Sequence, residues 1–159
     1  MAAAISSDSE VTEFVGQLFF RLWRASHTRT AEVLETVGLT TATFGVLNVL
    51  GARQGGAIQQ QLSADMGIDP SAMVSLINEL ENASLAERRR RPGDRRAWEV
   101  TITSDGRRTL ERAKHLATQV EGEVLGGLNA TERSQLVSLL RRALVSVPAP
   151  PPWRTEEGD

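Results

Sequence analysis

From about Glu10 to Val37, apolar residues recur at Val11, Phe14, Val15, Leu18, Phe19, Leu22, Trp23, Ala25, Ala31, Val33, Leu34 and Val37. The intervals are helical, but the stripe is wider than one core face requires. A first helix that buries more than one side serves its own core and a partner chain as well. Thr40 is placed to cap a second helix through Phe44, Val46, Leu47 and Leu50, which Gly51 and the Gly55-Gly56 pair bring to an end. Two short helices follow. The first, Ile58 to Met66, closes on Gly67; the second has Asp69 as N-cap, Pro70 in its first turn and an end near Asn82. The connection Gly67-Ile68-Asp69-Pro70 is as short as a helix-turn-helix requires.

Beyond them, Leu85 to Thr103 reads as two short strands around a Pro92-Gly93-Asp94 turn. Thr103 or Ser104 caps a further long helix with Leu110, Ala113, Leu116, Ala117, Val120 and Val124 on one face, broken at Gly126-Gly127. A last helix opens at Asn129, with Glu132 three residues later, and carries Leu136, Val137, Leu139, Leu140 and Leu144. The predicted fold is mainly α with a small β-hairpin wing: a winged helix-turn-helix flanked by dimerisation helices. Residues 10–37 and 104–146 are assigned to the helical dimerisation region and 39–103 to the DNA-binding domain. The segment 147–159, with four of the six prolines, is expected to be a disordered tail.

Charge sharpens this outline. Six of the eighteen basic residues lie between Arg88 and Arg96; set against Glu87 and Asp94, they give the hairpin +4. The chain has a formal net charge of −2, so the remainder carries −6. An acidic protein that gathers its positive charge onto one hairpin is built to meet a polyanion, and a wing beside a helix-turn-helix points to double-stranded DNA. The apolar fraction of 40% and charged fraction of 24% suit a globular chain. There is no cysteine, which excludes a disulfide framework, a thiolate metal site and a thiol sensor. Met1 to Glu10 has neither the basic nor the apolar region of a signal peptide, and no apolar run approaches the roughly 20 residues of a membrane span. The expected location is cytoplasmic, without membrane attachment.

Several segments together resemble the MarR (multiple antibiotic resistance regulator) family, over about Val11 to Leu144. They are Leu39-Thr40, Leu62-Ser63-Ala64-Asp65-Met66-Gly67-Ile68-Asp69, Leu85-Ala86-Glu87-Arg88, Pro92-Gly93-Asp94-Arg95-Arg96 and Thr103-Ser104-Asp105-Gly106. The resemblance implies a homodimer formed by the terminal helices, with a recognition helix in the major groove and a wing near the minor groove of a palindromic operator. It also implies control by a small ligand, often an aromatic acid or another lipophilic compound.

On the expected recognition helix Ser71, Ser75, Asn78 and Asn82 share one sector, opposite Met73, Ile77 and Leu80. Ser71, Ala72, Ser75 and Asn78 are therefore the candidate base-reading residues, since Ser and Asn can bond base edges and Ala can meet a thymine methyl; the bland alternative is a solvated face. Val74-Ser75 stands where the family commonly has Thr-Arg, and Glu79 takes a commonly basic position. From Pro70 to Ser84 there is no Lys or Arg. Ser84 replaces a usual Gly, so the local backbone is expected to differ. The wing must then supply most of the affinity. Arg88, Arg90, Arg95 and Arg96 are the candidates; by family position Arg96 is the minor-groove arginine and Asp94 orients a wing arginine. Strand alternation lets only part of the Arg88–Arg91 run face DNA, the rest being a charged edge. Gln59, Gln60 and Ser63 are candidate phosphate contacts.

Trp23, His27, Phe44 and His115 are candidate ligand-pocket residues because the first, second and fifth helices line that cavity in the family; core or dimer packing is the competing reading. His27 could pair with an acidic ligand or sense pH. No cofactor or metal site is indicated. An enzyme is not expected: Cys and Tyr are absent, the two His lie far apart, and there is no nucleophile elbow or phosphate loop. The expected function is a DNA-binding transcriptional regulator, a repressor of palindromic operators released by an unknown small-molecule effector. The rival is a winged-helix ligand-binding or protein-interaction module that no longer reads DNA sequence.

Overall fold

A computed structural model describes residues 14–53, 55–91 and 94–147, except for the side chains of 94–97. Six helices and one hairpin follow in the order expected: α1 (Val15–Glu35), α2 (Thr41–Ala52), α3 (Gln59–Met66), α4 (Pro70–Asn82), β1 (Ala86–Arg91), β2 (Asp94–Ile102), α5 (Ser104–Val124) and α6 (Ala130–Val145). The expected start of the first helix, before residue 14, lies outside the described residues, as does the tail from 148.

Local chemistry sets the boundaries. Thr40 and Thr43 form a reciprocal capping box on α2, Thr43 N–H donating to Thr40 Oγ1 at 3.1 Å and Thr40 N–H to Thr43 Oγ1 at 2.9 Å. Asn129 and Glu132 repeat the device on α6. Asp69 accepts from the amides of Ser71 and Ala72, with Pro70 pre-set in the first turn. The Ser71 hydroxyl, first, and the Ala72 amide hold the Asp69 carboxyl below the usual range, so this cap persists well into mild acid. Gly67 closes α3 at φ +60°, a conformation that costs glycine nothing.

The chain leaves α4 through a left-handed residue, Ser84 at φ +60°. Ser84 N–H donates to Glu81 O at 2.8 Å and Leu85 N–H to Leu80 O at 2.8 Å, the paired bonds of a Schellman ending. A serine held there carries a steric cost, so Ser84→Gly should stabilise the protein by about 0.5–1 kcal/mol. Thermal melting at fixed concentration would show it as a rise of about 1–4 °C; an unchanged or lower midpoint would refute it.

The core gathers where α2, α4 and α5 meet the hairpin. Leu34, Leu47, Leu50, Leu62, Met73, Ile77, Leu80, Ile102 and Leu110 are buried together. The hairpin is antiparallel, Ala86 facing Ile102, Arg88 facing Val100 and Arg90 facing Trp98. Ala57 bridges to Val100 and ties the loop after α2 to the wing's base. The terminal helices differ: α1 buries only Leu34, and α6 buries no residue. No helix among the described residues is long and apolar enough to cross a membrane.

Candidate nucleic-acid interface

The recognition helix owes its orientation to its apolar side. Met73, Ile77 and Leu80 are buried, which turns Ser71, Ala72, Ser75 and Asn78 outward together. The two serines bond locally, Ser71 to the Asp69 carboxylate and Ser75 Oγ to Ser71 O at 3.3 Å. Glu79 is exposed on the same helix, so α4 offers short neutral side chains and one carboxylate.

Arg88 does not project as a free cation. Its Nη1 bonds the Glu81 carboxylate and donates to Asn78 Oδ1 at 2.9 Å, while its backbone N–H donates to Glu81 Oε1 at 2.8 Å. The guanidinium joins the wing to α4. Arg90 lies over the Trp98 ring, 4.2 Å from its centre, directly across the ladder. This cation–π pair stiffens the wing. Arg89 Nε donates to Thr101 Oγ1 at 2.9 Å and pairs with Glu87. Asp94, Arg95 and Arg96 are placed in β2 by their backbone; their side chains lie outside the described residues.

In the helix before the turn, Gln60 is exposed and Gln59 half-buried. Ser63 is 2% exposed, beside Leu62 in the interior, and its hydroxyl lacks a partner among the described residues.

Of the four ligand candidates, the structure brings Trp23 and His27 together, stacked at 4.9 Å on exposed α1; Phe44 packs against the core, and His115 bonds Gln119 on the exposed side of α5. A different space is present, a crevice of about 1020 Å³ between α1 and the end of α5. Leu18, Leu22 and Val124 line it beside Arg21, Arg24 and Arg29, with Arg29 paired to Glu123 at 3.3 Å. Sequence reasoning did not single out the Glu81–Arg88 pair, Trp98 or these arginines. Glu81 lies three residues after Asn78 on α4, which was the available signal.

Comparison with known proteins decides the family. A model described as "MarR family" matches residues 37–97. A putative transcriptional regulatory protein for the hcr operon of Thauera aromatica is 30% identical over 145 residues, 86% of this chain and 87% of that one. The chain belongs to the MarR family. It is accordingly a DNA-binding transcriptional regulator. Among solved MarR-like structures, a MarR-family transcriptional regulator from Rhodococcus sp. RHA1 superposes with a TM-score of 0.75 at 26% identity, over 88% of this chain and 100% of that one. CouR from Rhodococcus jostii RHA1, solved with p-coumaroyl-CoA, has a TM-score of 0.74 at 26% identity, over 90% of this chain and 100% of that one.

Proposed function

We propose that this MarR-family chain is a homodimeric repressor, with 39–103 as the DNA-binding unit and 10–37 with 104–146 as the dimerisation region. The observation that carries the DNA-reading part is the outward polar face Ser71, Ala72, Ser75 and Asn78, set beside an arginine-bearing hairpin. In this reading α4 enters the major groove, Gln59 and Gln60 bond phosphates, and Arg95 and Arg96 carry the wing's affinity, with Arg96 in the minor groove and Asp94 orienting a wing arginine. A narrow A·T-rich groove has the enhanced negative potential that would hold such an arginine.

A small-molecule effector releases the protein by preferring a spacing of the two reading heads unlike the roughly 34 Å between successive major-groove faces. CouR, solved with an acyl-CoA thioester, supports a ligand of mixed apolar and anionic character. The crevice has matching chemistry, an apolar floor of Leu18, Leu22 and Val124 next to Arg21 and Arg24.

Selection of bound duplexes from a random library tests this reading, followed by affinity against salt for the wild type and Arg95→Ala/Arg96→Ala. A palindromic motif is expected, with a salt slope that becomes shallower in the variant by about 0.9 for each phosphate the wing no longer neutralises. An unchanged slope would remove the wing from the interface. Weak, sequence-blind binding would favour the second reading, a ligand or protein-interaction module. The observation on that side is an α4 without Lys or Arg that exposes Glu79.

A further inference from the structure

Among the described residues, Asn78 is the one member of the reading face whose side chain is held from a second element. Arg88 Nη1 stands 2.9 Å from its Oδ1. A guanidinium offers only donors, so the atom facing it must be the carbonyl oxygen, and Nδ2 is left to point elsewhere. Arg88 is fixed in turn. Its side chain bonds the Glu81 carboxylate, its own amide donates to Glu81 Oε1, and the β-ladder sets it opposite Val100. Asn78 and Glu81 are neighbours one turn apart on α4. Two elements and three side chains therefore select one orientation of one exposed amide.

That orientation bears on base choice. Asparagine reads adenine by accepting from N6 while donating to N7. Here the accepting oxygen is already engaged by a cation, and an adenine amino group approaching it would meet guanidinium N–H groups. The guanine edge presents two acceptors, O6 and N7, and no donor, so it suits a surface whose open groups are the Nδ2 hydrogens with a guanidinium behind them. We propose that Arg88, clamped by Glu81, sets Asn78 as a hydrogen-bond donor, so that Asn78 specifies guanine rather than adenine in the operator. Arg88 and Glu81 are then positioning residues for specificity. The proposal rests on α4 reading DNA as set out above.

The test is duplex selection with four proteins: wild type, Asn78→Ala, Arg88→Met and Asn78→Asp. The position whose preference relaxes in Asn78→Ala identifies the base pair that Asn78 reads. The wild type should favour guanine over adenine there by about tenfold, within the range of a good base contact. Arg88→Met frees Oδ1 and should move the preference to adenine. Asn78→Asp, at an exposed site, keeps an acceptor for Arg88 but loses the donors; it should abandon guanine and gain cytosine, whose N4 donates. Adenine in the wild-type motif, or a guanine preference untouched in Arg88→Met and Asn78→Asp, would overturn the proposal while leaving operator binding intact. The absence of any motif would overturn the DNA reading itself, and the inference with it.

Discussion

Gly106→Ala is expected to destabilise the protein by about 2–3 kcal/mol, although alanine is the better helix former by about 1 kcal/mol. Gly106 lies in the first turn of α5, capped by Thr103, whose Oγ1 accepts from Gly106 N–H at 2.9 Å. The same hydroxyl donates to Ser84 O at 2.8 Å, and Thr103 N–H donates to Leu85 O at 3.1 Å. The end of α4, the entry to the wing and the start of α5 are thus drawn onto one point. A Cβ at Gly106 would collide with the Leu85 carbonyl oxygen and approach Ile102 Cγ1 to 2.8 Å. The obstacle is backbone, so it cannot be relieved by a rotamer change. Gly122 in the same helix provides the control, since an added Cβ there meets nothing within 4 Å. Gly122→Ala should stabilise by about 0.5–1 kcal/mol. Opposite shifts in melting temperature are expected at equal concentration, roughly 4–12 °C downward for Gly106→Ala. A neutral Gly106→Ala would mean that the junction is not close-packed.

The contrast between those glycines shows which parts of the molecule sequence could reveal. Features fixed within one turn of chain were legible: Thr40, Asp69, Thr103 and Asn129 cap the helices expected of them, and Gly67 ends α3 in the left-handed region. Element order followed, because each cap or breaker stands beside a periodic apolar run. Side-chain destinations were less legible, because they depend on what another element offers. Ser63 falls on the polar side of a local reading, yet the packing of α3 takes it inside with Leu62. Arg88 belongs to a cationic run, but Glu81, seven residues earlier on another element, captures it. Arg90 meets Trp98 only through the hairpin register. Strand alternation separates Arg88 and Arg90 from Arg89, and tertiary structure sets the partner each of them meets.

That division leads to the terminal helices, where the pattern demanded more burial than one chain provides. Phe19, Phe20 and Trp23 on α1 and Val137, Leu139 and Leu144 on α6 remain exposed, Phe20 at 57% and Leu144 at 67%. Burying side chains of this kind is worth about 1.5–3 kcal/mol each, so a second copy covering them gains enough to hold a dimer. Val137 and Leu144 are seven residues apart and lie on one stripe of α6. The double change Val137→Glu/Leu144→Glu places two carboxylates on that stripe without touching a buried residue of the chain. The expected product is a folded monomer, with helical content retained and the sedimentation coefficient of a single chain. Its operator affinity should fall by about 10²–10⁴-fold, because the second half-site is no longer held at high effective concentration by the first. The affinity for an isolated half-site should change little, which separates loss of linkage from damage to the reading head. A variant that stays dimeric and binds the full operator normally would place the dimer interface elsewhere and leave the exposed stripe of α6 to another partner.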